Sequence, residues 1–472
     1  MIRRQPPAWH QAVAPGAPRA APPARDAVSL LSVYLLLAFV LPSPYVVGPL
    51  GAAGAPSQMI GWVLLFAWIM WRWRSAEGPV RLSPSLTATL VFVFAFLVSY
   101  LKAATRPIAG VELRAADRGL LELVAWLGIA ILADQCIGSL DRLDVLMRRL
   151  VFAAAGLATL GIVQYVAGWK ITNYLQLPGL SLNGVLINIA DRASFRRPAG
   201  TAGSPIEFGV VLAIIFPLAI HYALTRTDAG RLRRWAPVAL LAWAMPIAIS
   251  RSTVICLFVV TLVLVPSWPT PRRRKASAMA AVFFVLVWMA EPGLLGAIRG
   301  LFVNFSSDGS TTSRTGSYAI VEQFASRSPV FGRGFGTFLP SYRILDNQYL
   351  GTLIEAGIFG VVALIGVFAV STASTRGIRR ATSDPNARSL AQSLAASLAA
   401  AMVSFATFDA LSFVMLSGLV FFLVGCTGAL RRLVVQSSAT RSGPDVPTVS
   451  AELPSARLPL SGPVRAEVAV AR

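Results

Sequence analysis

Ala236–Ser267 reads APVALLAWAMPIAISRSTVICLFVVTLVLVPS, an apolar run broken once, at Ser250-Arg251-Ser252. A membrane span needs about 20 apolar residues, so the stretch is too long for one span and short for two. The choice decides which side of the membrane holds everything downstream. Read as one span, it moves Arg272–Lys275, Arg376–Arg388 and the C-terminal tail outside. Read as two, at 236–250 and 252–267, it leaves two thirds of the 42 Lys and Arg residues on the inside. Cytoplasmic segments carry the excess of Lys and Arg, which favours two spans.

The rest of the chain agrees with this reading. It is 55% hydrophobic and 13% charged, with mean hydropathy +0.65. Further apolar runs lie at about 28–47, 58–71, 86–101, 119–137, 147–168, 205–224, 276–295, 347–370, 391–409 and 412–430. The runs are continuous, unlike the alternating segments of about 10 residues that build a membrane barrel. The expected fold is therefore all-α: a polytopic transmembrane helical bundle of about twelve spans over 28–432. A large outer-face loop at 296–345 would carry short amphipathic helices. Residues 1–27 and 433–472 read as disordered cytoplasmic tails rich in Pro, Ala, Ser and Arg. The first has no cleavable signal pattern, and the run after it reads as a signal-anchor.

The net charge of +21 does not argue for nucleic acid, because the arginines sit between apolar runs and the positive-inside bias explains most of them. Cys136, Cys256 and Cys426 lie in or at the ends of apolar runs, and His10 and His221 are far apart. No disulfide framework or metal site is indicated. Two spans of about 15 residues rise only ~22 Å each, which puts Arg251 below the outer headgroups. An arginine at that depth needs a cavity or an anionic partner unless it snorkels to the surface. Among the outer segments Lys102–Arg118 is charged, Lys170–Ser204 is long and Gly296–Leu345 is the longest. Within the last, Tyr318, Val321, Phe324 and Ala325 follow helical spacing.

Several motifs resemble the O-antigen ligase and O-antigen polymerase family of bacterial polysaccharide enzymes. They begin with Arg197-Pro198-Ala199-Gly200-Thr201, Ser204-Pro205-Ile206-Glu207-Phe208-Gly209 and Ser250-Arg251-Ser252. They continue with Ser313-Arg314, Ser328-Pro329-Val330-Phe331-Gly332-Arg333-Gly334-Phe335-Gly336, Asp346-Asn347-Gln348-Tyr349-Leu350 and Glu355-Ala356-Gly357. The resemblance implies a metal-independent, cofactor-free membrane glycosyltransferase in the bacterial cytoplasmic membrane. Such an enzyme takes a glycan from a polyprenyl-diphosphate carrier and joins it to a glycan or lipid-linked acceptor at the outer face. A polysaccharide flippase and a chain-length regulator are the partners the family implies, along with membrane lipids. In ligases a histidine precedes the asparagine at the helix start; here Asp346 stands there, which leaves polymerase or another transferase slightly ahead of ligase.

The chemistry gives each residue a candidate role and an alternative. Arginine stays charged and forms paired hydrogen bonds to phosphate, so Arg251 and Arg314 are the first candidates for the diphosphate. Arg197 and Arg333 come second, and each competes with a plain contact to anionic lipid headgroups. Asp346 is a candidate base for the acceptor hydroxyl, or simply a helix N-cap. Asn347 would orient Asp346 or bind sugar hydroxyls. Glu207 and Glu355, acidic residues near or inside spans, bind substrate or pair with bundle arginines. The Gly332-x-Gly334-x-Gly336 run lacks a strand–turn–helix context, so it reads as a tight turn or a close approach to glycan or phosphate. Phe331, Phe335, Phe338 and Tyr342 stack on sugars or, more simply, anchor the loop in the membrane interface. A transporter or flippase is the rival class, although no repeat-related halves are visible. A transferase using a polyprenyl-monophosphate sugar is disfavoured, because the first outer loop, Gly48–Ser57, has no acidic residue.

Overall fold

The computed structural model describes residues 27–74, 80–169, 177–183, 189–192, 195–226, 230–291, 293–303 and 309–441. The chain is mostly helical. In order come α1 (Ala27–Val40), α2 (Pro56–Arg74), α3 (Pro84–Ala104), α4 (Gly110–Cys136) and α5 (Leu140–Ala167). Then follow α6 (Pro205–Thr225), α7 (Arg231–Ile247), α8 (Arg251–Leu264), α9 (Thr270–Ala290) and α10 (Leu294–Val303). The last are α11 (Gly309–Ala325), α12 (Gln348–Ala381), α13 (Pro385–Ser404) and α14 (Val414–Arg441). Local chemistry sets the starts. Ser83, Ser139 and Ser204 each accept a backbone N–H as N-caps of α3, α5 and α6, and proline opens α3 and α6, where its missing N–H is not needed.

Each run expected as a span falls on a helix. By length and composition, however, only six of the described helices are long and apolar enough to cross a membrane: α3, α4, α5, α6, α12 and α14. Joining two bent pairs raises this to eight: the turn 48–54 with α2, bent by 72°, and α9 with the start of α10, bent by 106°. The shortfall has physical causes. α1 and α8 have 14 residues each, about 21 Å of rise. α7 opens with Arg231, Arg233 and Arg234. α13 is rich in Ala and Ser and is enclosed by α6, α8 and α12, so it needs little lipid-compatible surface.

The helical expectation holds, with little strand beside it. Two small antiparallel ribbons join the helices, β1 (Tyr45–Val46) with β2 (Ser181–Leu182) and β3 (Ile189–Arg192) with β4 (Phe195–Pro198). The second hairpin arises inside the long 170–204 connection, where Phe195 to Pro198 present an extended edge to the bundle.

The core is aromatic at its centre. Trp126 of α4 stacks on Phe421 of α14 at 5.3 Å, and Phe92 of α3 meets Phe96 at 4.3 Å and Phe421 at 5.4 Å. α2 and α4 touch backbone to backbone: a Cβ on Gly128 would lie 2.1 Å from the Gly61 carbonyl oxygen. Small residues allow this approach, the usual way helices pack where lipid supplies no hydrophobic drive.

The connections sort to two ends. At one, Ser43 N donates to Thr201 O at 2.8 Å, Arg197 Nε to Ala248 O at 2.8 Å, and Gln348 N to Phe405 O at 2.8 Å. At the other, Gln135 Nε2 donates to Arg81 O at 3.3 Å, Arg432 Nη2 to Ile137 O at 2.7 Å, and His221 Nδ1 meets Ser389 Oγ at 2.8 Å. The first end gathers the long connections and is the loop-rich end.

Candidate functional site

The loop-rich end is built around a break in α12. Gly357 has φ 66° and ψ −168°, which interrupts the helix and frees backbone groups on both sides. The Pro329–Gly336 segment fills the gap. Arg333 N and Gly334 N donate to the carbonyls of Ile354 and Glu355, both at 2.9 Å. On the other side Ile358 N and Phe359 N donate to the carbonyls of Pro329 and Val330, at 2.8 and 3.1 Å. Irregular backbone inside a bundle survives only when its polar groups are satisfied in this way. The glycine run therefore makes a close approach to protein, where the sequence left a turn, a glycan or a phosphate open. A Cβ on Gly332 would lie 2.1 Å from Glu355 O, and one on Gly336 would lie 2.7 Å from Ala115 O.

A polar clamp holds the inserted segment. Arg333 Nη2 meets Glu112 Oε1 at 2.6 Å, and the Glu112 side chain is 6% exposed. Arg106 Nη2 joins at 3.4 Å and also sends Nε to Arg333 O at 3.1 Å, while the Tyr342 hydroxyl donates to Glu112 Oε1. That hydrogen bond pushes the Tyr342 phenol above its usual range. The Arg333 guanidinium lies over the Phe324 ring at 4.9 Å and the Tyr342 ring at 5.4 Å. Arg333 is thus occupied by protein groups. The four aromatics divide. Phe335 is buried against Phe96 at 4.7 Å, and Phe338 and Tyr342 pack on Phe324 of α11. Phe331 is 41% exposed beside Phe359.

The start of α12 forms the third part. Asn347 Oδ1 accepts from Tyr349 N at 3.0 Å and Leu350 N at 3.3 Å, so Asn347 is the N-cap. The capping alternative given to Asp346 is corrected here: capping falls to its neighbour. Asp346 is half-buried and faces Asp409 in the loop between α13 and α14 closely enough for their charges to interact. Burial first, and then the Asp346 charge, push the Asp409 carboxyl up to about 6; the Ser412 hydroxyl, hydrogen-bonded to it, pulls the other way. Gln348 ties the two loops together, its Oε1 accepting from Leu411 N at 2.8 Å.

Arg251 of the α7–α8 turn and Arg197 of β4 also lie at the loop-rich end. Ser250 is the N-cap of α8 and Arg251, its first residue, is buried at 9% exposure. Ile249 before it has φ 43°, an uncommon value for a β-branched residue. Arg197 on β4 reaches across to Ala248 O, so Arg197 and Arg251 flank one turn. Cys256 Sγ donates to Ala400 O at 3.5 Å between α8 and α13. About 7.5 Å nearer the loop-rich end, by helical rise, Arg251 is level with Phe405, whose carbonyl receives Gln348 N.

Of the other expected residues, Arg314 lies on α11, and its side chain is outside the described residues. α11 is joined to the segment by Arg343 Nε donating to Ser317 Oγ at 3.0 Å. Glu355 accepts from Phe338 N at 3.2 Å through Oε1 and senses the charges of Asp409 and Arg333. Glu207 is fully buried. Its Oε2 accepts from Gly203 N at 2.6 Å and its Oε1 from Leu416 N at 3.0 Å. These bonds hold the 203 turn to the start of α14, and a substrate hydroxyl would have to break them. His221 lies at the opposite end. The sequence reading missed Glu112, Arg106, Glu122 and Asp409; Glu122 of α4 senses Glu355 and Asp409. An acidic residue amid the basic Lys102–Arg118 segment was the one visible signal for Glu112.

Together these features define a polytopic helical membrane protein with a polar, clamped site at its loop-rich end. Residues 236–365, from α7 through the break in α12, match the profile of the family described as O-antigen ligase. The match supports the O-antigen ligase and polymerase family. It supports a role of ligase or polymerase type in surface polysaccharide synthesis, and the family suggests glycosyl transfer and implies lipid-linked glycan substrates. The matched region holds Arg251, Arg314, Arg333, Asp346, Asn347 and Glu355. A comparison with curated proteins finds no match.

Proposed function

We propose that the protein transfers or polymerises a polyprenyl-diphosphate-linked glycan at the outer face of the bacterial cytoplasmic membrane, with both tails in the cytoplasm. The acceptor hydroxyl oxygen attacks the anomeric carbon and gives its proton to the Asp346 carboxylate. The bond from that carbon to the diphosphate oxygen breaks, polyprenyl diphosphate leaves, and the single displacement inverts the anomeric centre. Arg251, with Arg197 and with Arg314 of α11, stabilises the charge that grows on the leaving diphosphate, so no metal is required. Arg333 serves through Glu112, holding the 328–346 segment so that Asp346 sits at the lip of the site.

The observation that supports this reading is the pair of contacts that α13 makes at its loop-rich end: Ala400 O with Cys256 of α8, about one helical turn and a half from Arg251, and Phe405 O with Gln348 N at the start of α12. The supporting experiment is genetic. Arg314→Ala and Asp346→Asn each abolish surface polysaccharide at normal protein abundance, and wild-type glycan in both would refute the proposal. A flippase and a chain-length regulator are the proposed neighbours in the membrane. Lipid-linked intermediates in a deletion strain separate the two forms: single repeat units for a polymerase, lipid-linked polymer for a ligase.

A further inference from the structure

The loop-rich half of α4 carries polar groups that the reaction scheme does not use. Gly119 packs under Phe335 of the inserted segment, where an added Cβ would meet the ring at 2.8 Å. Arg118 and Glu122 flank this contact, four residues apart and so on one side of α4, and both are half-buried. We propose that Arg118 and Glu122, with Gln58 of α2, form a subsite for sugar hydroxyls of the glycan substrate. The proposal rests on the glycosyl-transfer reading for the identity of the ligand.

Three observations carry the assignment. First, an arginine and a glutamate at this spacing can close into an ion pair, and here they do not. Among the described residues neither side chain makes a hydrogen bond or an ion pair. Arg118 lies instead against the turn at 48–54: a Cβ on Gly51 would stand 3.3 Å from its Cδ and 3.4 Å from its Nη1. Glu122 faces Glu355 and Asp409 closely enough for their charges to interact.

Second, Gln58 is 2% exposed and its Oε1 is buried without a hydrogen-bond partner. It sits one turn before Trp62, whose Nε1 donates to Leu121 O at 2.8 Å, and before Gly61, which meets Ala125. Gln58 is therefore on the side of α2 that faces α4. The two helices run in the same sense, since Leu65 further on meets Gly128, so Gln58 stands near the level of Glu122.

Third, the sign of the charge selects the ligand. Glu122, with Glu355 and Asp409 nearby, repels a diphosphate. Two acceptors that lack donors and one guanidinium that lacks an acceptor suit hydroxyl groups, each of which donates and accepts. The placement agrees. α4 packs with α2, α3 and α14, whereas α8, which carries Arg251, packs with α6 and α13. The sugar subsite and the arginine proposed for the diphosphate thus belong to different sides of the bundle.

The test uses the full-length protein purified in detergent. The probe is the free glycan released by mild acid from the lipid-linked oligosaccharide of a deletion strain, with inorganic pyrophosphate as competitor. In a saturation-transfer titration the wild type should bind the glycan, and pyrophosphate should not displace it. Arg118→Ala and Glu122→Gln should each weaken binding by roughly tenfold, the worth of one hydrogen bond to a charged group. Arg114→Ala, one turn earlier on α4 and exposed, should leave binding unchanged. Glu122→Gln should also keep or raise the unfolding temperature, because it removes repulsion from Glu355 and Asp409; a merely structural glutamate would lower it. If that variant does not fold, Arg118→Ala decides. No glycan binding by the wild type, wild-type affinity in both variants, or displacement by pyrophosphate overturns the proposal. Transfer activity is followed on the same preparations. Active transfer with unaltered glycan binding in the variants removes the subsite alone, whereas binding that depends on these residues in a protein forming no glycosidic bond removes the transfer reading and leaves the subsite.

Discussion

Arg333 and Glu112, 221 positions apart in the chain, meet at 2.6 Å and lock the α11–α12 connection onto the start of α4. Glu112 also receives Arg106 and the Tyr342 hydroxyl, so one carboxylate organises three groups from two connections. Because it is nearly enclosed, its loss leaves two cations with their main anion removed, a larger effect than deletion of a surface pair.

Glu112→Gln should therefore destabilise the protein by about 1–3 kcal/mol. Arg333→Gln alone should cost a comparable amount, and the double variant clearly less than the sum, since the two share one interaction. Thermal unfolding in detergent across the four-member cycle measures the coupling. Strict additivity would show that the contact carries no energy.

The break in α12 makes a contrast among glycines. Gly332→Ala places a Cβ 2.1 Å from Glu355 O at φ +70°, and Gly357→Ala places one 2.3 Å from Val330 O at φ +66°. Each should expel the inserted segment, lowering stability by about 2 kcal/mol or more and abolishing glycan formation. Gly351→Ala, in the same helix with only Gln348 Nε2 at 3.9 Å, should be neutral or stabilise by up to about 1 kcal/mol. Expression level and unfolding temperature of the three variants distinguish these outcomes.

Asp346 and Asn347 are adjacent but should separate by readout. Asn347→Ala removes the cap of α12 and should cost about 1 kcal/mol of stability, with Asn347→Ser restoring most of it. Asp346→Asn should change stability by less than about 0.5 kcal/mol and still remove activity. Unfolding curves and polysaccharide gels on the same preparations make the comparison.

The Asp409 carboxyl, pushed up to about 6 mainly by burial, gives a signed pH effect. The folded state holds this proton more tightly than the unfolded chain does. The contribution to stability is therefore complete below about pH 4 and is lost as pH rises through about 6. Asp409→Asn should flatten the unfolding temperature between pH 4 and 6.5 and raise it at neutral pH by roughly 2–4 °C relative to wild type. An unchanged pH slope would mean that Asp409 does not titrate in this window.

The sequence carried the helices because apolar runs are local signals, and in the structure Ser83, Ser139 and Ser204 cap three of the helices that those runs form. The turn before Arg251 was legible as well, since the apolar run 236–267 is broken there and α8 starts at that residue. Length criteria were less decisive, because α13 is buried on most of its surface and can be polar by composition. The clamp was illegible for a different reason. Nothing near Glu112 points to Arg333, and nothing near Asp409 points to Asp346; these pairs exist only once distant helix ends meet. The glycine run showed that close backbone approach was needed, but not that the approaching surface was α12 of the same chain.

The most direct test of glycosyl transfer uses purified protein in vesicles with a lipid-linked oligosaccharide donor and acceptor. Wild-type protein should form a glycosidic product with inverted anomeric configuration, while folded Asp346→Asn and Arg251→Ala should form none above background. Product formation by Asp346→Asn at the wild-type rate, or movement of donor across the vesicle with no product, would contradict the account.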